Sequence, residues 1–218
     1  DISAMNDWGV SEVTEMSSLF DGKGSFTANI SKWDTSSVTD MKSMFQGCGA
    51  FNQSLEYWNT GSVTDMSNMF QNACKFNASI AGWDVSKVKN FEGMFYVNKD
   101  YAGAAMFNGN LSTWNTGAVT SMNKMFGTTG VRATVGFNNP SIATWNTSNV
   151  RNMYLVFGGD RFGNCDWANS KFDQEISNWN WDISSVTDMS YMFSCATNFR
   201  DAGIRKWIVR SDTATGSM

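Results

Sequence analysis

Apolar residues recur along the chain in one fixed order, with short polar runs between them. Residues 33–45 read WDTSSVTDMKSMF, and residues 58–70 read WNTGSVTDMSNMF. The valine of this motif occurs seven times, at spacings of 25, 25, 25, 31, 31 and 36 residues. We number the repeats 1–7 by these valines, which are Val13, Val38, Val63, Val88, Val119, Val150 and Val186. The phenylalanine that ends the motif, from Phe20 to Phe193, keeps the same spacing. Repetition at such periods predicts a stack of similar units.

A second motif, F-N-x-x-[IL]-x-x-W, lies between successive copies of the first. It spans residues 51–58, 76–83 and 107–114, longer copies span 137–145 and 172–181, and a partial copy covers 199–207. The two motifs account for nearly the whole chain. They predict a single domain over residues 1–209, with residues 1–20 as an N-terminal capping coil and residues 199–209 as a partial C-terminal coil. The last residues, 210–218, are expected to be a flexible tail or linker.

The spacing of apolar residues inside one repeat predicts a helix. In repeat 2, Val38, Met41, Met44 and Phe45 fall at offsets 0, 3, 6 and 7, which places them on one face of an α-helix. Alternating offsets would be needed for a strand. The short polar residues before the valine, such as Asp34, are suited to cap the start of that helix.

A single repeat cannot bury its apolar side chains alone. Each offers about six large apolar side chains, worth ~1.5–3 kcal/mol each when fully buried. Ordering the backbone costs roughly 1–2 kcal/mol per residue, so an isolated repeat would be unfolded. The aliphatic residue of the second motif (Ile30, Leu55 or Ile80) is expected to mark a short strand. We therefore predict an α/β repeat fold with one short parallel strand and one short helix per coil, in about seven coils plus a partial C-terminal coil.

The motif W-[DN]-T-S-x-V-T-D-M-S-x-M-F, followed by a turn of small residues, closely resembles the repeat of the BspA-like leucine-rich-repeat surface proteins. In that family, Met and Phe stand where ordinary leucine-rich repeats carry Leu. The resemblance extends from about Trp8 to Trp207. It implies a right-handed leucine-rich-repeat-like solenoid with a short parallel sheet along one side, export to the cell surface, and a role in adhesion or protein binding. The longer loops of the second half depart from the family, so partner specificity does not carry over.

Composition and charge exclude several functions. The chain carries 16 Lys and Arg against 20 Asp and Glu, a net charge of −4, which argues against a nucleic-acid groove because such grooves need clustered basic residues. It contains no His, which removes the commonest general base and imidazole metal sites. No stretch approaches the ~18 consecutive apolar residues of a membrane span. We therefore expect no catalytic residues, no cofactor, no metal site and no direct membrane span in this segment.

The four cysteines predict two disulfides. Cys48 and Cys74 lie in the same turn of adjacent repeats, and adjacent strands of a stack are ~4.8 Å apart. Cys195 occupies the corresponding turn of repeat 7, and Cys165 lies in the long loop of the repeat before it. The sequence thus predicts the pairs Cys48–Cys74 and Cys165–Cys195, with free thiols as the alternative. Pairing would favour an oxidising compartment, in agreement with the exported family.

Asparagines at the second position of the second motif form a file along the stack. Its members are Asn52, Asn77, Asn108 and Asn138, with Asp173 in the last place. The file is either a polar ladder that binds a ligand or, as we prefer, an internal ladder that satisfies backbone groups between coils. Asn29 and Asn110 stand outside the file in Asn-x-Ser/Thr triplets, and they are the better glycosylation candidates.

Most of the extra residues of repeats 4–6 are inserted after the motif phenylalanine, at 96–106, 127–136 and 158–171. Insertions at one register of a stack emerge side by side on one face, which is often the binding face. Tyr, Trp and Arg are enriched at interface hot spots. The partner-binding candidates are Tyr96, Tyr101, Arg132, Arg161, Phe162 and Trp167. The alternative is that these loops fold back and cover their own coils.

These features predict a non-catalytic, exported repeat protein, extracellular or on the cell surface, that binds a protein or glycan partner through its loop-rich face. The alternative is a structural scaffold subunit built into a larger surface, filament or membrane-associated assembly. That alternative arises because the partial coil at 199–209 lacks the Val-to-Phe motif and leaves its end open.

Overall fold

The computed structural model of the chain describes residues 2–98, 104–129, 133–159, 165, 168–200, 204, 207 and 211–216. Among these residues the regular elements are 3-10 helices at Ile2–Asp7, Pro140–Thr144 and Ile176–Asn178, and strands β1 (Ala104–Ala105), β2 (Ala133–Val135) and β3 (Ala168–Ser170). No α-helix occurs in these ranges. The predicted α/β solenoid, with one helix and one strand in every coil, is therefore wrong.

A tight turn replaces the predicted helix of each repeat. In repeat 2 the Met44 N–H donates to Met41 O at 3.2 Å, and Ser43 between them has a φ of 56°. A positive φ at the third residue is what a type II turn requires. The equivalent residue has a φ between 55 and 60° in every repeat: Ser18, Ser43, Asn68, Gly93, Lys124, Leu155 and Tyr191. A left-handed residue at this point prevents the chain from continuing as a right-handed helix.

Most backbone hydrogen bonds of this segment join neighbouring repeats. In an α-helix the same groups would bond within one repeat. The amides of Met41, Ser43 and Phe45 donate to carbonyls of repeat 3 at 3.1, 2.8 and 2.9 Å. The residue before Met41 pairs in parallel with its counterpart in the next repeat, and one residue per repeat continues this ladder. The ladder residues are Glu15, Asp40, Asp65, Asn90, Ser121, Asn152, Asp188 and Ala214. Parallel pairing thus occurs in the segment for which a helix was predicted.

The segments predicted as strands are turns. The Trp33 N–H donates to Ile30 O, and the Trp58 N–H donates to Leu55 O, both at 3.2 Å. These bonds close four-residue turns at the positions where strands were expected. Turns that follow one another at three-residue steps point an apolar side chain inward about every third residue. That spacing is nearly the same as one face of a helix, which explains the mistaken prediction.

The polar residues before the valine serve the stack and do not cap helices. The Asp34 Oδ1 atom accepts from the Ser36 N–H at 3.1 Å, which closes a local turn. The Thr35 side chain is buried, and its hydroxyl donates to Asn59 O of the next repeat at 2.9 Å. The buried Thr60, Thr116 and Thr147 make the same bond to the following repeat. The T of the motif therefore links neighbouring coils.

The core consists of columns of equivalent side chains that run the length of the stack. Successive motif phenylalanines from Phe20 to Phe157 stack with ring centroids 5.5–6.0 Å apart. The valine column from Val38 to Val186 is fully buried, and the methionines beside it are buried. In the tryptophan column, Nε1–H of Trp58 donates to Ile30 O of the previous repeat at 3.1 Å. The same bond recurs at Trp83, Trp114, Trp145 and Trp181.

Both ends of the chain contribute to the stack. The Ile2–Asp7 helix covers part of the first coil, where Met5 O accepts from Trp33 Nε1–H at 2.7 Å. Ala214 lies in the segment predicted as a flexible tail or linker, but it pairs in parallel with Asp188. The Met189 N–H donates to Ala214 O at 2.9 Å. Residues 211–216 therefore extend the ladder by one more step.

Candidate functional site

The insertions of repeats 4–6 leave and rejoin the stack side by side. Val97 pairs in parallel with Thr128 where the first two insertions begin. Strands β1, β2 and β3 form a three-stranded parallel sheet where the insertions return, with Ala104 opposite Thr134 and Ala133 opposite Ala168. Val97, Ala105 and Ala133 form a small buried cluster of their own. The second parallel sheet therefore fixes the bases of the three insertions on one side of the molecule.

The insertions replace a turn that the shorter repeats keep. In repeats 2 and 3 the chain turns after the phenylalanine at Gly47 (φ 70°) and Asn72 (φ 59°). In repeats 5 and 6 the first inserted residue is Gly127 or Gly158. A Cβ atom at Gly127 would lie 2.3 Å from Leu155 O, and one at Gly158 would lie 2.2 Å from Tyr191 O. Glycine at the start of these insertions thus allows the backbones of adjacent repeats to approach closely.

Aromatic and basic side chains gather at the base of the insertions. The Lys124 Nζ atom lies 5.6 Å from the ring centroid of Tyr96 and 5.8 Å from that of Tyr154, within the range of cation–π attraction. Tyr154 contacts Tyr191 edge-on, with centroids 5.7 Å apart. The hydroxyls of Tyr96 and Thr129 are hydrogen-bonded. We call Tyr96, Lys124, Tyr154 and Tyr191 the Tyr–Lys cluster; Lys124, Tyr154 and Tyr191 are partly exposed, and Tyr96 is at the edge of burial.

One of the six predicted partner-binding residues belongs to this cluster. Tyr96 is 9% exposed, so most of its side chain packs against the protein, as the self-packing alternative expected. The remaining candidates, Tyr101, Arg132, Arg161, Phe162 and Trp167, lie outside the described residues. The other cluster residues, Lys124, Tyr154 and Tyr191, were not predicted from the sequence. A signal was present in the sequence at the position of the left-handed residue. Repeats 1–4 have Ser, Asn or Gly there, whereas repeats 5–7 have the larger Lys124, Leu155 and Tyr191.

The structure pairs two of the four cysteines. Cys165 and Cys195 form a disulfide with a Cα–Cα distance of 4.9 Å, which ties the insertion of repeat 6 to the turn of repeat 7. The predicted Cys48–Cys74 pair is not formed, and both are free cysteines. The Cys48 Sγ points to Phe20 O at 3.0 Å, toward the preceding repeat and away from Cys74 of the following one. Burial raises the pKa of the Cys48 thiol to about 11, so this cysteine stays protonated at neutral pH.

The file of asparagines lies at the surface, and each side chain accepts a hydrogen bond from a backbone N–H of the next repeat. Asn52 Oδ1 accepts from the Asn77 N–H at 2.9 Å, and Asn77 Oδ1 accepts from the Asn108 N–H at 3.0 Å. Asn108 and Asn138 continue the series to Asp173. Asn52, Asn77 and Asn108 are exposed, so the prediction of an internal ladder is wrong while its backbone role is seen. Main-chain amides at the surface are satisfied this way without a ligand.

The predicted glycosylation residues are exposed, and their side chains accept hydrogen bonds within local turns. Asn29 Oδ1 accepts from the Ser31 N–H at 3.0 Å, and Asn110 Oδ1 accepts from the Ser112 N–H at 2.9 Å. In the part of the chain that the structure describes, no group of three or more His, Cys, Asp or Glu is arranged to hold a metal ion. Nor does a helix in that part have the length and apolar character to cross a bilayer.

The chain matches one known family along its whole length. The family is described as "Mycoplasma protein of unknown function, DUF285", and it matches residues 1–103, 97–167 and 132–218. The three overlapping matches agree with the internal repetition, because each covers two or more successive repeats. No curated protein matches the chain, and no solved structure does.

Proposed function

The chain belongs to the family described as Mycoplasma protein of unknown function, DUF285, and we propose that it is a non-catalytic repeat protein that binds a partner protein through the side bearing its insertions. The observation that supports this most is the second parallel sheet, which holds the bases of three insertions together beside the Tyr–Lys cluster. Enlarged loops presented by a rigid scaffold are a common form of binding surface. A non-catalytic role is proposed because the sequence has no His.

We further propose that the protein is exported and works outside the cell or at its surface. The Cys165–Cys195 disulfide supports this, because disulfides persist mainly in oxidising compartments. The resemblance of the W-[DN]-T-S-x-V-T-D-M motif to BspA-like surface proteins favours the same location and a role in adhesion. Mass spectrometry of the protein from its native source, without reduction, tests the location. Recovery of Cys165 and Cys195 as free thiols in freshly isolated protein would contradict export.

The binding role is tested by replacing candidate residues within the inserted segments. Tyr101, Arg161 and Trp167 are replaced together with Ser, and wild type and variant are used to capture proteins from extracts of the native source. We expect at least one protein that wild type captures to be lost by the variant, since Tyr, Trp and Arg dominate interface energies. Tyr57, 84% exposed in a turn of repeat 2, supplies the matched control as Tyr57→Ser. An identical set of captured proteins for the triple variant and for wild type would overturn the proposal.

A scaffold role is the second candidate, and one feature favours it. A groove of about 590 Å³ opens at the N-terminal end of the stack, lined by Met5, Trp8, Phe20 and Phe26 among others. Trp8 is 54% exposed there. An exposed aromatic of this kind suits packing against a neighbouring subunit. Sedimentation at rising concentration should then show association that Trp8→Ser abolishes, whereas a monomer at all concentrations would exclude association through this groove.

A further inference from the structure

The ladder residues change in charge along the stack. In repeats 1–3 the paired residues are acidic: Glu15, Asp40 and Asp65. In repeats 4–6, which carry the insertions, they are neutral: Asn90, Ser121 and Asn152. Acidity returns at Asp188 in repeat 7. The protein has a net charge of −4, so a segment of ladder without carboxylates is a local departure from its overall charge.

Three of the cations in these repeats lie close to the ladder in sequence. Lys89 and Arg151 directly precede the ladder residues Asn90 and Asn152, and both are exposed. In repeats 1–3, 5 and 7 the same position holds Thr. Lys124 follows the ladder residue Ser121 by one turn and belongs to the Tyr–Lys cluster. Within the described part of the chain, none of the three cations makes an ion pair; the pair found there, Lys32–Asp7, lies at the N-terminal end.

Lys124 is held in place more firmly than an ordinary surface lysine. Its ammonium group lies over both Tyr96 and Tyr154, and the Tyr154 ring is itself fixed edge-on by Tyr191. The lysine also starts from a backbone with a φ of 58°, which the neighbouring coils enforce. A cation that is ordered before binding loses less side-chain entropy when it meets an anion.

We infer that the Tyr–Lys cluster, together with Lys89 and Arg151, binds a carboxylate-rich segment of the partner protein. This deepens the proposed function and rests on it. Among the described residues these three cations make no ion pair, so they can attract an acidic chain, although Asp65 and Asp188 pair with the end members Asn90 and Asn152 of the neutral segment. Repulsion from Glu15, Asp40 and Asp65 disfavours displacement of that chain toward the N-terminal repeats. Lys124 supplies an ordered charge in repeat 5, between the repeats that carry Lys89 and Arg151. Lys89 and Arg151 lie two ladder steps apart, roughly 10 Å at the usual strand spacing.

An acidic polypeptide fits better than the other polyanions. The ring faces of Tyr96 and Tyr154 nearest the cation are covered by Lys124, which reduces the open aromatic surface on which a sugar ring would stack. Nucleic-acid binding rests on many phosphate contacts, and three cations on a protein of net charge −4 supply few of them. Basic clusters that recognise acidic motifs in proteins are a recurring mode of binding.

The inference is tested with a fluorescent peptide of alternating Glu and Ala, and with the same peptide in which Gln replaces Glu. By fluorescence anisotropy at low salt, the complete chain should bind the Glu peptide about tenfold more tightly than the Gln peptide. Binding should weaken steeply as salt is raised, because the contacts lie at the surface. Equal affinity for the two peptides would overturn the inference.

The variants use residues that the fold accepts at the same register. Lys89→Thr and Arg151→Thr introduce the residue of the other repeats, and Lys124→Asn introduces the residue of repeat 3, where Asn68 has a φ of 56°. The triple variant should melt as wild type does and lose the preference for the Glu peptide. Lys42→Ser, which copies Ser67 of repeat 3, removes a cation from the acidic end and should leave binding within about twofold. An equal loss in Lys42→Ser would mean that net charge alone is responsible.

Two further outcomes separate this inference from the proposed function. Polygalacturonate that binds more tightly than the Glu peptide, and loses binding in the triple variant, would overturn the choice of a polypeptide. Capture that Tyr101→Ser, Arg161→Ser and Trp167→Ser abolish, but that the triple charge variant leaves intact, would overturn the acidic partner while the binding role stands. The two sets of residues do not overlap, so each result has one interpretation.

Discussion

Repeats 2 and 3 keep a short turn after the motif phenylalanine, whereas repeats 4–6 carry insertions there. The packing distances in the core are nearly the same in both sets of repeats. The rings of Phe45 and Phe70 are 5.5 Å apart, and those of Phe95 and Phe126 are 5.6 Å apart. The tryptophan bonds of Trp58 and Trp145 are both 3.1 Å long. Columns and ladder therefore set the geometry of the stack, and one register outside them absorbs most of the variation in repeat length.

The largest expected effect comes from removing one core phenylalanine from the shorter repeats and one from the insertion-bearing repeats. The two losses show whether both sets of repeats are packed equally well. Phe45→Ala and Phe126→Ala each delete a fully buried ring that stacks on both neighbours. Each should lower the free energy of unfolding by about 3–5 kcal/mol, because a cavity is left and stacking is lost. Urea unfolding measures both. A much smaller loss for Phe126→Ala would show that the insertion-bearing repeats are packed less tightly than the shorter ones.

The disulfide should stabilise the insertion-bearing side alone. Cys165 and Cys195 are 30 residues apart, and closing a loop of that length stabilises a protein by about 3.6 kcal/mol through the unfolded chain. Cys165→Ser with Cys195→Ser should lose that amount. Cys74→Ser, at a free cysteine of a short-turn repeat, should lose less than about 1 kcal/mol. Equal losses in urea unfolding would contradict the pairing.

The smallest expected difference is in the stability of individual repeats at low pH. The hydroxyls of Ser36 and Ser86, and then their backbone amides, lower the pKa of Asp34 and Asp84 below 3.8, whereas the same turns of repeats 5 and 6 begin with the neutral Asn115 and Asn146. A lowered folded pKa gives stability that is complete above the unfolded pKa and is lost as pH falls through the folded one. Protection from amide exchange below about pH 4 should therefore decline sooner at Val38 and Val88 than at Val119 and Val150.

Asp34→Asn and Asp84→Asn provide the control for this acid effect. Asn already occupies the same position at Asn59 and accepts the same bond, from the Gly61 N–H at 3.1 Å. The double variant should keep its melting temperature at pH 7 and lose, at low pH, the difference between Val38 and Val88 on one side and Val119 and Val150 on the other. Persistence of that difference in the double variant would assign the acid effect to other carboxylates.

The repeat, its register and its core residues followed from the sequence, because each depends on which residues are apolar and how far apart they lie. Valines, methionines, phenylalanines and tryptophans of the two motifs are buried in columns. The side-by-side insertions followed as well, because most of the extra residues are added at one register. These features depend on burial, which the pattern of apolar residues records directly.

Secondary structure did not follow, because an apolar residue every third position suits both a helix and a run of turns. The difference lies in one backbone angle per repeat, and residues as unlike as Ser43, Leu155 and Tyr191 adopt it. Hydrogen bonds from the neighbouring coils enforce that angle, so it is a property of the stack. Gly93 and Asn68, which tolerate a positive φ, were the available hint. The shared register of Cys48 and Cys74 was also not enough to predict a disulfide. The Cys48 side chain points toward the preceding repeat, away from Cys74.

One pair of variants tests most directly whether each repeat turns through a left-handed residue. Ser17 and Ser18 are adjacent and exposed in repeat 1, and Ser18 alone of the two has a positive φ, 57°. Amide exchange at Phe20, whose N–H donates to Met44 O at 2.9 Å, reports the local free energy of opening. We predict that Ser18→Gly leaves this free energy unchanged or raises it by up to about 1 kcal/mol, and that Ser17→Gly lowers it by about 0.5–1 kcal/mol. Similar losses in both variants, as a helix would give, would contradict the account.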